Sequence, residues 1–310
     1  MNYQFQFRPY QRRFQTPLQT SRSLWEIREG IILRLRAENG DIGWGEIAPL
    51  PSFGSETLQQ ALDFCQQLGP EVSLEAIASI PDTLPACQFA FESAAHPLLA
   101  PPPRKRETVL SYSWLLPTGS AALQAWQRPW EQGLRTFKWK IGAASLPVEI
   151  TLCEQLLQAL PGEAKLRLDA NGGLSHQDAQ TWLQTCDRLG KIEFLEQPLP
   201  PDRFETMLSL NENFAVPLAL DESVANIRQL QDCYERGWQG IFVIKAAIAG
   251  FPSHLRQFCQ QHQIDAVFSS VFETEIGRKA ALQLAAELSS PNRAVGFGVQ
   301  QWLAEPEDSS

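Results

Sequence analysis

Charged residues recur along the second half of the chain at near-constant spacing. Lys138 and Lys140 stand two apart. Asp169, Glu196, Asp221 and Lys245 follow Lys140 at successive intervals of 29, 27, 25 and 24 residues. Three carboxylates supply hard oxygen ligands, and no His or Cys lies near the strand ends that would carry them. Such a donor set suits Mg²⁺ or Mn²⁺ rather than zinc. A substrate carboxylate held beside such a cation can lose its α-proton, because the enediolate charge is stabilised. The base that takes the proton must itself be unprotonated. A lysine beside a second lysine and a divalent cation has its pKa pushed down, a physical reason to gather Lys138, Lys140 and Lys245. A single charged residue at a strand end is ordinarily a surface group or a salt-bridge partner. Five in register on consecutive strands are not explained that way.

The spacing is that of one strand plus one helix. Strands are predicted over 108–114, 136–141, 164–169, 192–196, 217–221, 241–245, 264–269 and 293–296. Helical stretches such as 146–160, 175–189 and 227–236 separate them. Eight such units predict a TIM-type (β/α) barrel over residues 104–297. Its strand C-termini converge on one face, where active sites lie. A doubly wound open sheet is the alternative, but no GxGxxG follows the first strand.

The first 100 residues read differently. Residues 3–14 and 25–37 are strand-like, Asn39-Gly40-Asp41 is a turn signal, and Gly43-Trp44-Gly45-Glu46 resumes a strand. Helices are expected over 55–68, with Ser55 as cap, and over 84–98. Strands followed by helices predict a small α+β capping domain over 1–100. Pro101-Pro102-Pro103 with the solvated triplet Arg104-Lys105-Arg106 marks its boundary. Residues 298–310 are expected to return to it, with a frayed acidic end from Glu305.

The net charge of −9 makes nucleic acid and anionic membranes poor partners. No stretch approaches the roughly 18 apolar residues that span a bilayer, and the N-terminus shows no signal peptide. The six cysteines form no CxxC pair and read as reduced, buried thiols of a cytoplasmic protein. A small-molecule carboxylate is the expected partner, and both monomer and homo-oligomer are compatible with the sequence.

Lys138-Trp139-Lys140, Asp169-Ala170-Asn171, Glu196-Gln197-Pro198, Asp221-Glu222-Ser223 and Lys245 resemble the muconate-lactonizing-enzyme branch of the enolase superfamily. Three further motifs narrow the resemblance to the o-succinylbenzoate synthase family. They are Arg28-Glu29-Gly30, the run from Gly43 to Pro51, and Ser269-Ser270 with Glu273-Thr274. The resemblance implies that Asp169, Glu196 and Asp221 bind Mg²⁺. It implies that Lys140 removes the α-proton and then protonates the departing hydroxyl, that Lys138 tunes Lys140, and that Lys245 stabilises the enediolate from the opposite face. The implied reaction is dehydration of 2-succinyl-6-hydroxy-2,4-cyclohexadiene-1-carboxylate to 2-succinylbenzoate, on the way to menaquinone or phylloquinone.

Other residues carry weaker signals. Asn171 is a candidate for the surroundings of the metal or for a turn before Gly172. Ser269 and Ser270 are candidate donors to the succinyl carboxylate. Pro51, Phe53 and Gly54 look like a lid loop. Arg167 is expected to be a salt-bridge partner, and Trp139 to point away from the lysines. Glu222 and Glu193 are expected to alternate away from the pocket or lie deeper. The rival functions are an N-acylamino-acid racemase, a dipeptide epimerase or a muconate-type cycloisomerase of the same superfamily. More remote are a Schiff-base aldolase and a non-catalytic barrel.

Overall fold

The computed structural model describes residues 1–19, 24–99 and 109–303. Pro101–Pro103, the basic triplet and the acidic end from Glu305 lie outside these residues. The N-terminal part is a four-stranded antiparallel sheet in the order β3-β2-β1-β4. Its strands are β1 (Asn2–Gln19), β2 (Leu24–Arg36), β3 (Ile42–Ile47) and β4 (Glu71–Ser73). Gly40, at φ 92°, turns β2 into β3, and the Asn39 side chain accepts from the Asp41 amide at 3.1 Å. The short β4 has no counterpart among the predicted strands.

Helices α1 (Leu58–Gln67), α2 (Leu74–Ala78) and α3 (Pro85–Leu99) cover one face. Thr57, not Ser55, caps α1. It forms a capping box with Gln60, while the Ser55 hydroxyl accepts from the Leu50 amide at 2.7 Å. α3 lies directly on the backbone of β3. A Cβ on Gly43 would meet the Ala94 carbonyl oxygen at 1.8 Å, and one on Gly45 would meet that of Ala90 at 2.2 Å. That close approach is the physical reason for the Gly-Trp-Gly pattern.

The remainder is an eight-stranded parallel sheet in the order β11-β10-β9-β8-β7-β6-β5-β12. The strands are β5 (Tyr112–Leu115), β6 (Thr136–Lys140), β7 (Lys165–Asp169), β8 (Ile192–Glu196), β9 (Leu218–Leu220), β10 (Ile241–Ile244), β11 (Ala266–Phe268) and β12 (Val295–Gly298). A bridge from Ser269 to Gly296 links the two outer strands, so the sheet closes on itself as a barrel. Outside it lie α4 (Ala122–Ala125), α5 (Gln127–Glu131), α6 (Leu146–Ala159), α7 (His176–Leu189), α8 (Phe204–Asn213), α9 (Ile227–Glu235), α10 (Pro252–His262) and α11 (Glu275–Leu288). Among the described residues no helix is long and apolar enough to cross a membrane. All six cysteines are free and buried.

Two buried polar contacts seat the antiparallel sheet over the C-terminal mouth of the barrel. Glu46 of β3 accepts from the Thr274 and Gly277 amides, at 2.8 and 2.9 Å, at the start of α11. The carboxylate meets the positive end of that helix. Arg28 of β2 donates to the carbonyls of Val271 and Pro49, each at 2.9 Å. The chain beyond β12 also returns to this part, where Leu303 bridges to Phe14.

Candidate active site

The end of each of five successive strands brings a charged side chain to one mouth. Lys140, Asp169 and Glu196 are the last residues of β6, β7 and β8, and Asp221 and Lys245 directly follow β9 and β10. Asp169, Glu196 and Asp221 are 1–2% exposed. Buried charges persist only when paired, and here they pair with the lysines. Lys138 Nζ bridges Asp169 Oδ2 at 2.8 Å and Glu196 Oε1 at 2.7 Å. Lys140 Nζ donates to Asp169 Oδ2 at 3.1 Å and to Asn171 Oδ1 at 2.7 Å. Lys245 pairs with Asp221. β6 and β10 are four strands apart in a ring of eight, so Lys140 and Lys245 face each other across the barrel.

The electrostatics are strongly coupled. Burial pushes the Glu196 carboxyl up to about 8, with Asp169 adding to the push. Asp169 is held below the usual carboxylate range: burial would raise it, but Lys138 and Lys140 prevail. Burial would lower Lys138, but Asp169, Glu196 and Asp221 outweigh it and hold this lysine above its ordinary value. Lys138 thus stays charged beside Lys140, as its expected role of tuning that lysine requires.

The mouth encloses about 650 Å³, its opening included. Its polar floor is Lys138, Lys140, Asp169, Asn171, Asp221 and Lys245, with Ser113, Ser269 and Ser270 on one side. Leu50, Phe53 and Trp25 reach in from the antiparallel sheet and the loop after it, and Phe272 and Val299 complete the apolar wall. Phe53 lies over Lys245, whose ammonium is 4.1 Å from the ring centroid. Pro51 and Gly54 flank Phe53 in its turn but do not line the pocket. The Ser270 hydroxyl is engaged with Glu273, at 2.9 Å, while Ser269 lines the pocket beside Gly296.

Two residues buried behind the pocket lining act on the site, although neither was among its expected residues. Glu222 lies deeper than the pocket lining, yet it touches a residue of that lining. β9 ends at Leu220, Glu222–Val224 form a 3₁₀ turn, and Glu222 Oε1 accepts from Asn171 Nδ2 at 3.1 Å. Burial pushes its carboxyl up to about 7, with Asp221 and Asp169 contributing. Gln197 is fully buried in a left-handed backbone conformation, φ 37°. Its Oε1 accepts from the amides of Asp221 (2.9 Å) and Ser223 (3.2 Å), and its Nε2 donates to the Ser223 hydroxyl at 2.7 Å. Gln197 thus aims the turn that carries Asp221 and Glu222. A polar residue directly after a strand-end carboxylate was the available signal. Glu193 does lie deeper, paired with Arg167 (2.7 Å) and Arg293 (3.0 Å). Trp139 is buried away from the lysines.

Among the described residues no three acidic, imidazole or thiol groups already stand at ligating spacing. The donor set nevertheless fits a hard divalent cation. Asp169, Glu196, Asp221 and Glu222 outnumber Lys138, Lys140 and Lys245, and Glu222 Oε2 is buried without a partner among the described residues.

Residues 121–306 match the family described as enolase C-terminal domain-like, and residues 7–98 match the MenC N-terminal domain. The chain is 44% identical to o-succinylbenzoate synthase of Thermosynechococcus vestitus over 97% of its length and 94% of that protein's. The crystal structure of o-succinylbenzoate synthase from Thermosynechococcus elongatus, complexed with Mg in its active site, superposes with a TM-score of 0.89 at 43% identity. It covers 98% of this chain and 95% of that one. The L-Ala-D/L-Glu epimerase of Bacillus subtilis shares the fold, with a TM-score of 0.83 at 21% identity over 97% and 90% of the two chains. Identity of this extent along nearly the whole of both chains, with both of their parts matched, means that the chain belongs to the o-succinylbenzoate synthase family of the enolase superfamily.

Proposed function

We propose that the protein is a Mg²⁺-dependent hydro-lyase that converts 2-succinyl-6-hydroxy-2,4-cyclohexadiene-1-carboxylate into 2-succinylbenzoate and water. The observation that carries this reading is the placement of Lys140 and Lys245 on opposed strands, with three buried carboxylates between them, in a chain so similar to a synthase of that name. In this reading residues 1–100 cap the barrel of residues 104–297, and residues 298–310 return to the cap. Its setting is the cytoplasm, in keeping with six free thiols.

Asp169, Glu196 and Asp221 would hold the Mg²⁺, which when bound supplies positive charge facing the substrate carboxylate. Lys140 takes the proton from the carbon that bears the carboxylate. The electron pair left behind is delocalised onto the carboxylate as an enediolate, and Lys245 faces it with an ammonium charge from the opposite side. Lys140 then returns its proton to the hydroxyl on the neighbouring carbon. That C–O bond breaks, water leaves, and the ring becomes aromatic, so no oxidant is needed. Lys138 ties Asp169 to Glu196 and keeps its own charge close to Lys140. Leu50, Phe53 and Trp25 cover the ring and limit access of water.

The test is the ultraviolet absorbance of fresh cyclohexadiene substrate with the purified protein and Mg²⁺, beside a chelated sample and Lys140→Ala. The expected result is rapid aromatisation that needs the metal and is lost in the variant. A folded, metal-loaded protein that leaves the substrate unchanged would refute the reading. Opposed lysines also suit two-base racemisation of an N-acylamino acid or dipeptide. Exchange of the substrate α-proton with solvent from both enantiomers, at a rate matching or exceeding dehydration, would favour that second reading.

A further inference from the structure

Lys140 meets three groups whose hydrogen-bonding roles are not interchangeable. Its Nζ donates to Asn171 Oδ1 at 2.7 Å, and Asn171 Nδ2 donates to Glu222 Oε1 at 3.1 Å. A lysine ammonium only donates and a carboxylate only accepts, whereas an amide has one end of each kind. While Lys140 carries its proton, the amide satisfies both neighbours in one orientation only: carbonyl toward the lysine, NH₂ toward the glutamate. Asn171 is 7% exposed and Glu222 5%, so solvent cannot readily stand in for either. The backbone adds to the definition. Asn171 sits in a left-handed conformation, φ 46°, with its amide donating to Asp169 Oδ1 at 3.0 Å. Glu222 is held between Asp221 and Ser223, both bonded to Gln197.

We propose that Glu222 is a positioning residue: by accepting from the Asn171 amide it keeps the Asn171 carbonyl on Lys140 Nζ, and so fixes the direction in which Lys140 meets the substrate. This rests on the reading of Lys140 as the base. An apolar residue at 222 removes the acceptor that Glu222 offers to the amide. The amide can then turn its NH₂ toward Lys140, where it faces another donor when Lys140 is protonated and engages the lone pair of the base when it is not. Misplacement of a reacting group by about 1 Å costs on the order of 100-fold in rate.

The experiment is steady-state aromatisation kinetics, with thermal unfolding alongside, for wild type, Lys140→Ala, Glu222→Leu, Glu222→Gln, Asn171→Asp and the pair Asn171→Asp/Glu222→Gln. Glu222→Leu should lose about 10- to 100-fold in kcat with KM within about threefold. Glu222→Gln, whose side-chain carbonyl accepts the same bond, should recover most of that loss. Asn171→Asp sets two acceptors against each other and should lose about 100-fold or more. Adding Glu222→Gln then supplies a donor to the introduced carboxylate, which still accepts from Lys140, and should restore at least about tenfold. A merely structural role would make kcat track the unfolding temperature and show no such rescue. Folded Glu222→Leu with wild-type kcat, or a double variant no faster than Asn171→Asp, overturns the proposal. If Glu222→Leu does not fold, the Asn171→Asp pair decides. Inactive wild type or active Lys140→Ala would instead overturn the reading beneath it, and the proposal with it.

Discussion

Replacing Glu46 by alanine should separate the two parts of the molecule. Glu46 is fully buried and accepts from four donors: the Tyr10 hydroxyl at 2.5 Å, the Thr274 and Gly277 amides at 2.8 and 2.9 Å, and the Thr274 hydroxyl. Each buried donor left unpaired costs about 1–3 kcal/mol, and water entering the hole repays part of that. Losing the carboxylate at the start of α11 adds a few tenths to about 1 kcal/mol. The expected sum is about 3–5 kcal/mol, a large share of the roughly 5–15 kcal/mol of a typical domain. The loss falls on the contact between sheet and barrel. Urea unfolding should therefore split, with tryptophan fluorescence and far-ultraviolet circular dichroism no longer coinciding. The pocket-lining loop from Ser269 to Phe272 runs directly into Thr274, which Glu46 holds, so KM should rise about tenfold in native buffer. Glu46→Gln keeps one accepting oxygen but turns an NH₂ toward α11, and should fall between wild type and Glu46→Ala. A loss under about 1 kcal/mol, with a single coincident transition, would refute the reasoning.

Lys140→Ala should lower kcat by about 10³-fold or more while KM stays within a few-fold, read in the aromatisation assay. Gln197→Ala frees the turn that aims Asp221 and should weaken Mg²⁺ binding about 10- to 100-fold by titration calorimetry; unchanged affinity would argue against that aiming role. The Glu193 carboxyl is held below its ordinary value of 4.5: burial would raise it, but Arg167 and Arg293 prevail. Its contribution to stability is present above pH 4.5 and is lost as pH falls through the lowered folded-state value. Glu193→Gln should flatten the acid side of the stability profile below that pH, and an acid limb as steep as that of wild type would contradict the assignment. Gly277→Ala places a methyl carbon 2.9 Å from Glu46 Oε2 and should lower the unfolding temperature in the same sense as Glu46→Gln.

Much of the site was legible because a barrel repeats. A strand–turn–helix unit of near-constant length returns the chain to the same rim, so residues 24 to 29 apart reach one mouth. Lys140, Asp169, Glu196, Asp221 and Lys245 could be placed together from spacing alone. The sequence by itself also determined the antiparallel start of the chain and the turn at Gly40, since both follow from local pattern and conformational freedom. Glu222 lies deeper than the pocket lining as expected, but its bond to Asn171 could not be read from alternation, because β9 stops two residues earlier and a 3₁₀ turn follows. The cap of α1 moved from Ser55 to Thr57 because the Ser55 hydroxyl is spent on Leu50. What only the tertiary structure decided is which polar groups answer one another across long separations. Glu46 meets Thr274 across 228 positions, Arg28 meets Val271 across 243, and Asn171 meets Glu222 across 51. Hydrogen bonds need contact within about 3 Å and a defined direction. Periodicity supplies neither, and both appear only once the sheet is seated on the barrel.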